Sequence, residues 1–159
     1  MSLLVLILVC VVCVASYYVV FQGKRTASGE KYPAELLGAQ CVMNESMISM
    51  ASPAKLSGRI DQLYKQSKSS QHYIVDTKNR ASGRAFPSDR AQLSVYRTIL
   101  RSKGYDVSEY GFVRFPDAQG HGRYKKVRLY PDSKVFGLYD RYVNLKSGAS
   151  KSVCSCGKH

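Results

Sequence analysis

The chain has 159 residues, with 24 Lys and Arg against 11 Asp and Glu and a formal net charge of +13. That length carries one compact domain with a real core, not several. The excess of Lys and Arg suits a polyanionic partner, either nucleic acid or an acidic membrane surface. None of that charge lies in the first 22 residues.

Residues 3–21 read LLVLILVCVVCVASYYVVF and contain no charged residue. Nineteen helical residues at about 1.5 Å each span nearly the ~30 Å of a hydrocarbon core. Tyr17 and Tyr18 lie near one end, where aromatic rings favour the interface. A cleaved signal peptide fits less well, because no basic stretch precedes the run and no clear A-x-A site follows it. Residues 1–22 are therefore expected to form a single transmembrane anchor. Lys24, Arg25 and Lys31 follow directly, so the positive-inside rule places the C-terminal domain in the cytoplasm. Residues 23–32 read as a short flexible linker.

Of the five cysteines, Cys10 and Cys13 fall inside the apolar run and read as small hydrophobes. Cys41, Cys154 and Cys156 are an odd set that a cytoplasmic domain keeps reduced, which argues against a disulfide framework.

Residues 33–50 have helical spacing in Leu36, Leu37, Val42, Met43 and Met47, with Pro33 suited to a first turn. Residues 55–65 and 71–78 read as two strands joined by the polar KQSKSSQ loop. Residues 79–87 are a loop. Ser88 is the expected N-cap of a helix running to about residue 103, with Asp89 in the first turn and Gly104 just past the end. Leu93, Tyr96, Ile99 and Leu100 form its apolar stripe. Residues 110–115 and 124–130 read as a second hairpin around the turn 117–122. Residues 133–145 read as a last short helix, and the polar tail 146–159 as disordered. This order predicts an α/β domain over 33–145, a mixed sheet flanked by helices.

Asp61, Asp76 and Lys78 stand at the centre of the expected chemistry. In a strand, residues two apart share a face, so Asp76 and Lys78 point the same way and Asp61 on the neighbouring strand meets them. Phosphodiester hydrolysis needs an activated water and an offset for negative charge, and a divalent metal supplies both. Mg²⁺ or Mn²⁺ prefers oxygen ligands, which Asp61, Asp76 and the Thr77 carbonyl provide. Lys78 is a compact cation able to orient the attacking water. An Asp-x-Lys alone is common and equally describes surface charges. Here Ile74 and Val75 form a buried strand that ends in the charged pair, and Gly58, three before Asp61, permits close backbone approach. Gln92 and Tyr96, four apart on one helical face, hydrogen-bond phosphate or the metal's ligands in the functional reading. In the structural reading Tyr96 is a core aromatic and Gln92 is surface. Arg123, Lys125 and Lys126 fit contacts to a phosphate backbone, or else to anionic lipid. His121 in the turn has no orienting acid evident in sequence and reads as a solvated loop residue.

The series GRID, IVDTK and QLSVY resembles the G-x-x-D, (D/E)-x-K and Q-x-x-x-Y motifs of RecB-like nucleases in the PD-(D/E)XK superfamily. The run KNRASGRAFPSDRAQLSVYRTIL looks especially like the CRISPR-associated RecB-like exonuclease branch. The resemblance covers roughly residues 54 to 130. It implies a restriction-endonuclease-like sheet and a metal-dependent deoxyribonuclease, an exonuclease by that likeness, working on DNA with an unidentified protein partner. It also implies Asp61 and Asp76 as metal ligands, Lys78 as catalytic, and Gln92 and Tyr96 as DNA-positioning. Family members often carry a further ligand on an upstream helix, for which only Glu35 and Glu45 stand in here. Many bind an iron–sulfur cluster through four cysteines, and three with a C-x-C spacing do not meet that requirement. Zinc at Cys154, Cys156 and His159 is a weaker alternative still.

Overall fold

Five segments form one sheet: β1 (Gln40–Met50), β2 (Leu56–Lys65), β3 (His72–Thr77), β4 (Tyr110–Pro116) and β5 (Gly122–Arg128). The structure is a computed structural model and describes residues 32–148. The apolar run 3–21, the linker up to residue 31 and the tail from residue 149 lie outside the described residues, and with them Cys154, Cys156 and His159. Among the described residues, no helix is long and apolar enough to cross a membrane.

The strands lie in chain order across the sheet. Neighbours pair antiparallel except β3 and β4, which are parallel. A parallel pair cannot be joined by a tight turn and needs a crossover. Helix α1 (Pro87–Ser102) supplies it, and α2 (Asp132–Lys146) follows β5. The result is a mixed five-stranded sheet with two helices; the α/β class and the mixed sheet match expectation, and the fifth strand in place of a first helix does not.

Strand alternation, broken once in β2 between Ile60 and Leu63, divides the side chains between two cores. Ile60, Leu63, Ile74, Val113 and Phe115 pack under Leu93, Tyr96, Ile99 and Leu100 of α1 and Val135 of α2. Tyr73, Val75 and Phe112 point the other way and are covered by Leu36, which sits in a 3₁₀ turn, Ala34–Leu36. Asp76 follows the alternation of Ile74, so it emerges on the α1 side at the C-terminal end of β3.

Two expectations are corrected. Residues 33–50 are not helical but a 3₁₀ turn followed by the long strand β1. Three of the five residues that suggested a helix lie at the surface: Leu37 is 63% exposed, Val42 39% and Met47 72%. The spacing was coincidental, and pairing with β2 decides the conformation. Helix α1 begins at Pro87 with Phe86 as N-cap, not at Ser88. Proline fixes the helical φ at the first position, so Asp89 becomes the third helical residue and accepts the Phe86 N–H at 2.8 Å. Gly104 does lie just past the end, with φ +87°.

Candidate functional site

Strand β3 delivers Asp76 and Thr77 to the edge of the α1 core, and Lys78 follows at its end, its N–H donating to the Arg114 carbonyl of β4 at 2.8 Å. Asp76 is 1% exposed. Lys78 Nζ lies 2.9 Å from Asp76 Oδ2 and donates to Gln92 Oε1 at 3.0 Å. Gln92 Nε2 donates to Asp76 Oδ1 at 3.1 Å and to the Tyr96 hydroxyl oxygen at 2.8 Å. Asp61 Oδ2 accepts the Thr77 N–H at 2.8 Å. The five residues singled out by their spacing thus form one connected cluster from β2, β3 and α1. Thr77 also takes part through its N–H, which orients Asp61.

The Asp76 carboxyl is shifted by its surroundings. Burial pushes the Asp76 carboxyl above its ordinary range, Lys78 pulls it back, and Asp61 and Asp89 push it further up. Burial likewise raises the Tyr96 hydroxyl, opposed by the Gln92 amide and reinforced by Asp76 and Asp61. Two acids and one ammonium leave the cluster one negative charge in excess. Asp76 Oδ2 is buried, with the Lys78 ammonium at 2.9 Å as its close partner. A buried oxygen of this kind, together with the Asp61 carboxylate, provides the hard donors that Mg²⁺ or Mn²⁺ takes.

Gly58 has a different partner from the one its position suggested. A Cβ there would lie 2.5 Å from Tyr96 Cε1, so its lack of a side chain makes room for the tyrosine ring and not for a neighbouring backbone. Across the β1–β2 ladder, pairing is interrupted between Asn44↔Gln62 and Ser46↔Ile60, opposite Asp61. Glu45 occupies that position with φ 49°, a left-handed conformation that costs a non-glycine residue about 1–2 kcal/mol. Such strain concentrates where a site re-aims a side chain.

Neither upstream acid completes a third ligand. Glu45 pairs with Arg59 at the surface, and Glu35 pairs with Lys126 at 2.6 Å. Among the described residues, no three of His, Cys, Asp and Glu converge. Cys41 is exposed, its thiol donating to the Met43 carbonyl at 3.1 Å.

The basic trio on β5 is divided by strand alternation. Arg123 and Lys125 pair with Phe115 and Val113, whose side chains face α1. Arg123 reaches the loop after Lys78, where a Cβ on Gly83 would lie 2.9 Å from its guanidinium. Lys126 pairs with Phe112 on the opposite face and is held by Glu35 and by the Tyr110 ring at 4.5 Å. His121 has an acid after all: Asp117 Oδ2 lies 3.5 Å from its Nδ1, and both are exposed in the β4–β5 turn.

Two residues at the site lay outside the motif series, and their pairing carried no signal in sequence. Arg80, in the loop after β3, grips Asp89 through Nη1 at 2.9 Å and Nη2 at 2.5 Å. Asp89 is 2% exposed. Burial pushes its carboxyl up, but Arg80 and the Phe86 N–H outweigh this and hold it below the ordinary range. The pair fastens the loop to the start of α1 and so fixes the helix that carries Gln92 and Tyr96. Asp89 was recognisable as a first-turn acid, whereas a partner nine residues upstream was not.

No protein-family model matches this chain, and a search of curated proteins finds no significant match.

Proposed function

We propose that the domain is a divalent-metal-dependent DNA nuclease with a restriction-endonuclease-like arrangement of the RecB-like kind, tethered to the membrane by residues 1–22 and facing the cytoplasm. The observation that carries this reading is the convergence of Asp61, Asp76 and Lys78 under Gln92 and Tyr96, with the Asp76 carboxylate buried against the Lys78 ammonium. Asp61 and Asp76 would hold Mg²⁺ or Mn²⁺, with the Thr77 carbonyl as a further oxygen. When bound, the ion acidifies water and offsets charge on the transferring phosphoryl group.

The chain's own groups do the rest. Lys78 spends two contacts on Asp76 and Gln92, and its ammonium has three protons. The third is free to orient the attacking water or a phosphate oxygen. The Tyr96 hydroxyl accepts from Gln92, so its own proton is available to a phosphate. Gln92 holds all three partners in register. Arg123 and Lys125, on the same side of the sheet, would carry the DNA backbone past the site.

The test is the full chain in detergent, assayed on end-labelled linear and circular DNA with and without chelator. Cleavage that requires metal and disappears in Lys78→Ala, with the circular dichroism spectrum unchanged, is the expected result. Undiminished cleavage by Lys78→Ala refutes the assignment. DNA retention without cleavage, and without an Asp61- and Asp76-dependent Mn²⁺ site, would instead indicate a non-cleaving membrane-tethered binding module.

A further inference from the structure

We propose that the cleft between α1 and the connection from β5 to α2 binds a phosphate group, at a site separate from the acid–lysine cluster. The cleft has a volume of about 410 Å³ and is lined by Arg90, Arg97, Arg101 and Arg128 with Glu109 and Asp132. Four guanidinium groups against two carboxylates leave two positive charges in excess. Arg90, Arg97 and Arg101 recur at helical spacing on one face of α1, and Gln92 and Tyr96 project from another. The inference therefore does not depend on the nuclease reading.

The walls of the cleft are fixed by buried polar contacts. Ser94, fully buried, donates to the Arg90 carbonyl at 2.6 Å and accepts the Tyr130 N–H at 2.8 Å. The Tyr130 ring in turn lies 4.0 Å from the Arg90 guanidinium. Thr98 donates to Asp132 at 2.9 Å.

Within these walls the arginines are incompletely satisfied. Only Arg101 meets Asp132 at hydrogen-bond distance, 3.0 Å. Arg97 is 8% exposed, stands 3.8 Å from the same carboxylate and reaches the Tyr130 carbonyl at 3.5 Å. Its Nε is buried with no acceptor. Among the described residues Arg90 pairs with no carboxylate, and its Nε is also buried with no acceptor. Arg128 lies 3.7 Å from Glu109. Buried donors without acceptors are costly, and the planar guanidinium fork matches phosphate oxygens two at a time. A phosphate monoester carries about −1.5 to −2 charges at neutral pH, and two neighbouring backbone diesters carry about one each; either balances the excess in the cleft. The ligand is thus a phosphate carried either by nucleic acid or by a free phosphate compound.

The experiment titrates the full chain in detergent with inorganic pyrophosphate by calorimetry, at low salt and with chelator present. One saturable site is expected. Arg90→Gln and Arg97→Lys should each weaken it by at least about tenfold, the second because a point charge cannot replace the fork. Lys78→Ala should leave it unchanged. An unphosphorylated single-stranded oligonucleotide that displaces pyrophosphate identifies backbone phosphates as the source, and one that does not identifies a free phosphate compound. The proposal is overturned by no saturable heat, by wild-type affinity in either arginine variant, or by loss of binding in Lys78→Ala.

Discussion

Asp76 and Asp89 are both buried aspartates with a cation at hand, 1% and 2% exposed, yet their carboxyl groups shift in opposite directions. Asp89 receives two N–H bonds from Arg80 and one from Phe86, so its ionised form is fully solvated by the protein. Asp76 receives one from Gln92, a close contact from Lys78, and repulsion from Asp61. Burial alone therefore does not separate a structural acid from a functional one. What separates them is whether the protein itself completes the shell of donors around the anion. Asp89 is held by three N–H donors and fastens the loop to α1, whereas Asp76 is less fully surrounded and, in the nuclease proposal, is where an added cation would bind.

The largest expected effect tests the second half of that contrast. Asp76→Asn and Lys78→Ala should each lower metal-dependent cleavage by at least on the order of 10²–10³-fold, read as initial rates on end-labelled DNA. If Asp76→Asn retains wild-type rates, the distinction fails.

Stability should move in opposite senses at the two positions. Because the folded-state pKa of Asp76 is raised, its ionised form is penalised in the fold with all its partners counted. Neutral Asp76→Asn should then raise the thermal midpoint in chelator at neutral pH, while Asp89→Asn should lower it. The pH dependence follows the same signs. The penalty from Asp76 is absent below the ordinary carboxylate pKa and grows as pH rises from there through its raised value. The contribution of Asp89 is present above the ordinary pKa and is lost as pH falls through its depressed value. Thermal melts of the two variants against wild type, from acid to neutral pH, read both directions.

A smaller effect is expected at Gly58. A Cβ at 2.5 Å from the Tyr96 ring forces the ring to move, and overpacking of this kind costs about 1–3 kcal/mol. Gly58→Ala should destabilise by that amount in denaturant titrations and slow cleavage by displacing Tyr96 from Gln92. The smallest effect distinguishes the faces of β5. Lys125→Ala should weaken DNA binding several-fold and reduce the salt slope by about one. Lys126→Ala, on the opposite face and already paired with Glu35, should change neither.

The legible parts of this molecule were those with local causes. Strands β2 to β5 and α1 follow from short β-rich runs, turn residues and one amphipathic stripe, and the grouping of Asp61, Asp76, Lys78, Gln92 and Tyr96 follows from the periods of strand and helix. Strand β1 was not legible, because its conformation comes from pairing with β2 while several of its apolar residues stay at the surface. The split between Lys125 and Lys126 was readable in principle from alternation alone, had the three basic residues not been treated as one patch. The Arg80–Asp89 pair and the arginine cleft depend on how a loop and a connection fold back onto α1. Only Arg90, Arg97 and Arg101 at helical spacing hinted at the latter.

The sheet ends on two strands of contrasting character. Strand β5 carries Arg123, Lys125, Lys126 and Arg128 along its length, and charges of that kind discourage another chain from adding to an open border. Strand β1, eleven residues long, has none of these lysines and arginines. It carries instead a register shift between Cys41 and Met43 and the left-handed residue Glu45. A register shift and a left-handed residue make the strand uneven, and uneven edge strands pair less readily with another chain.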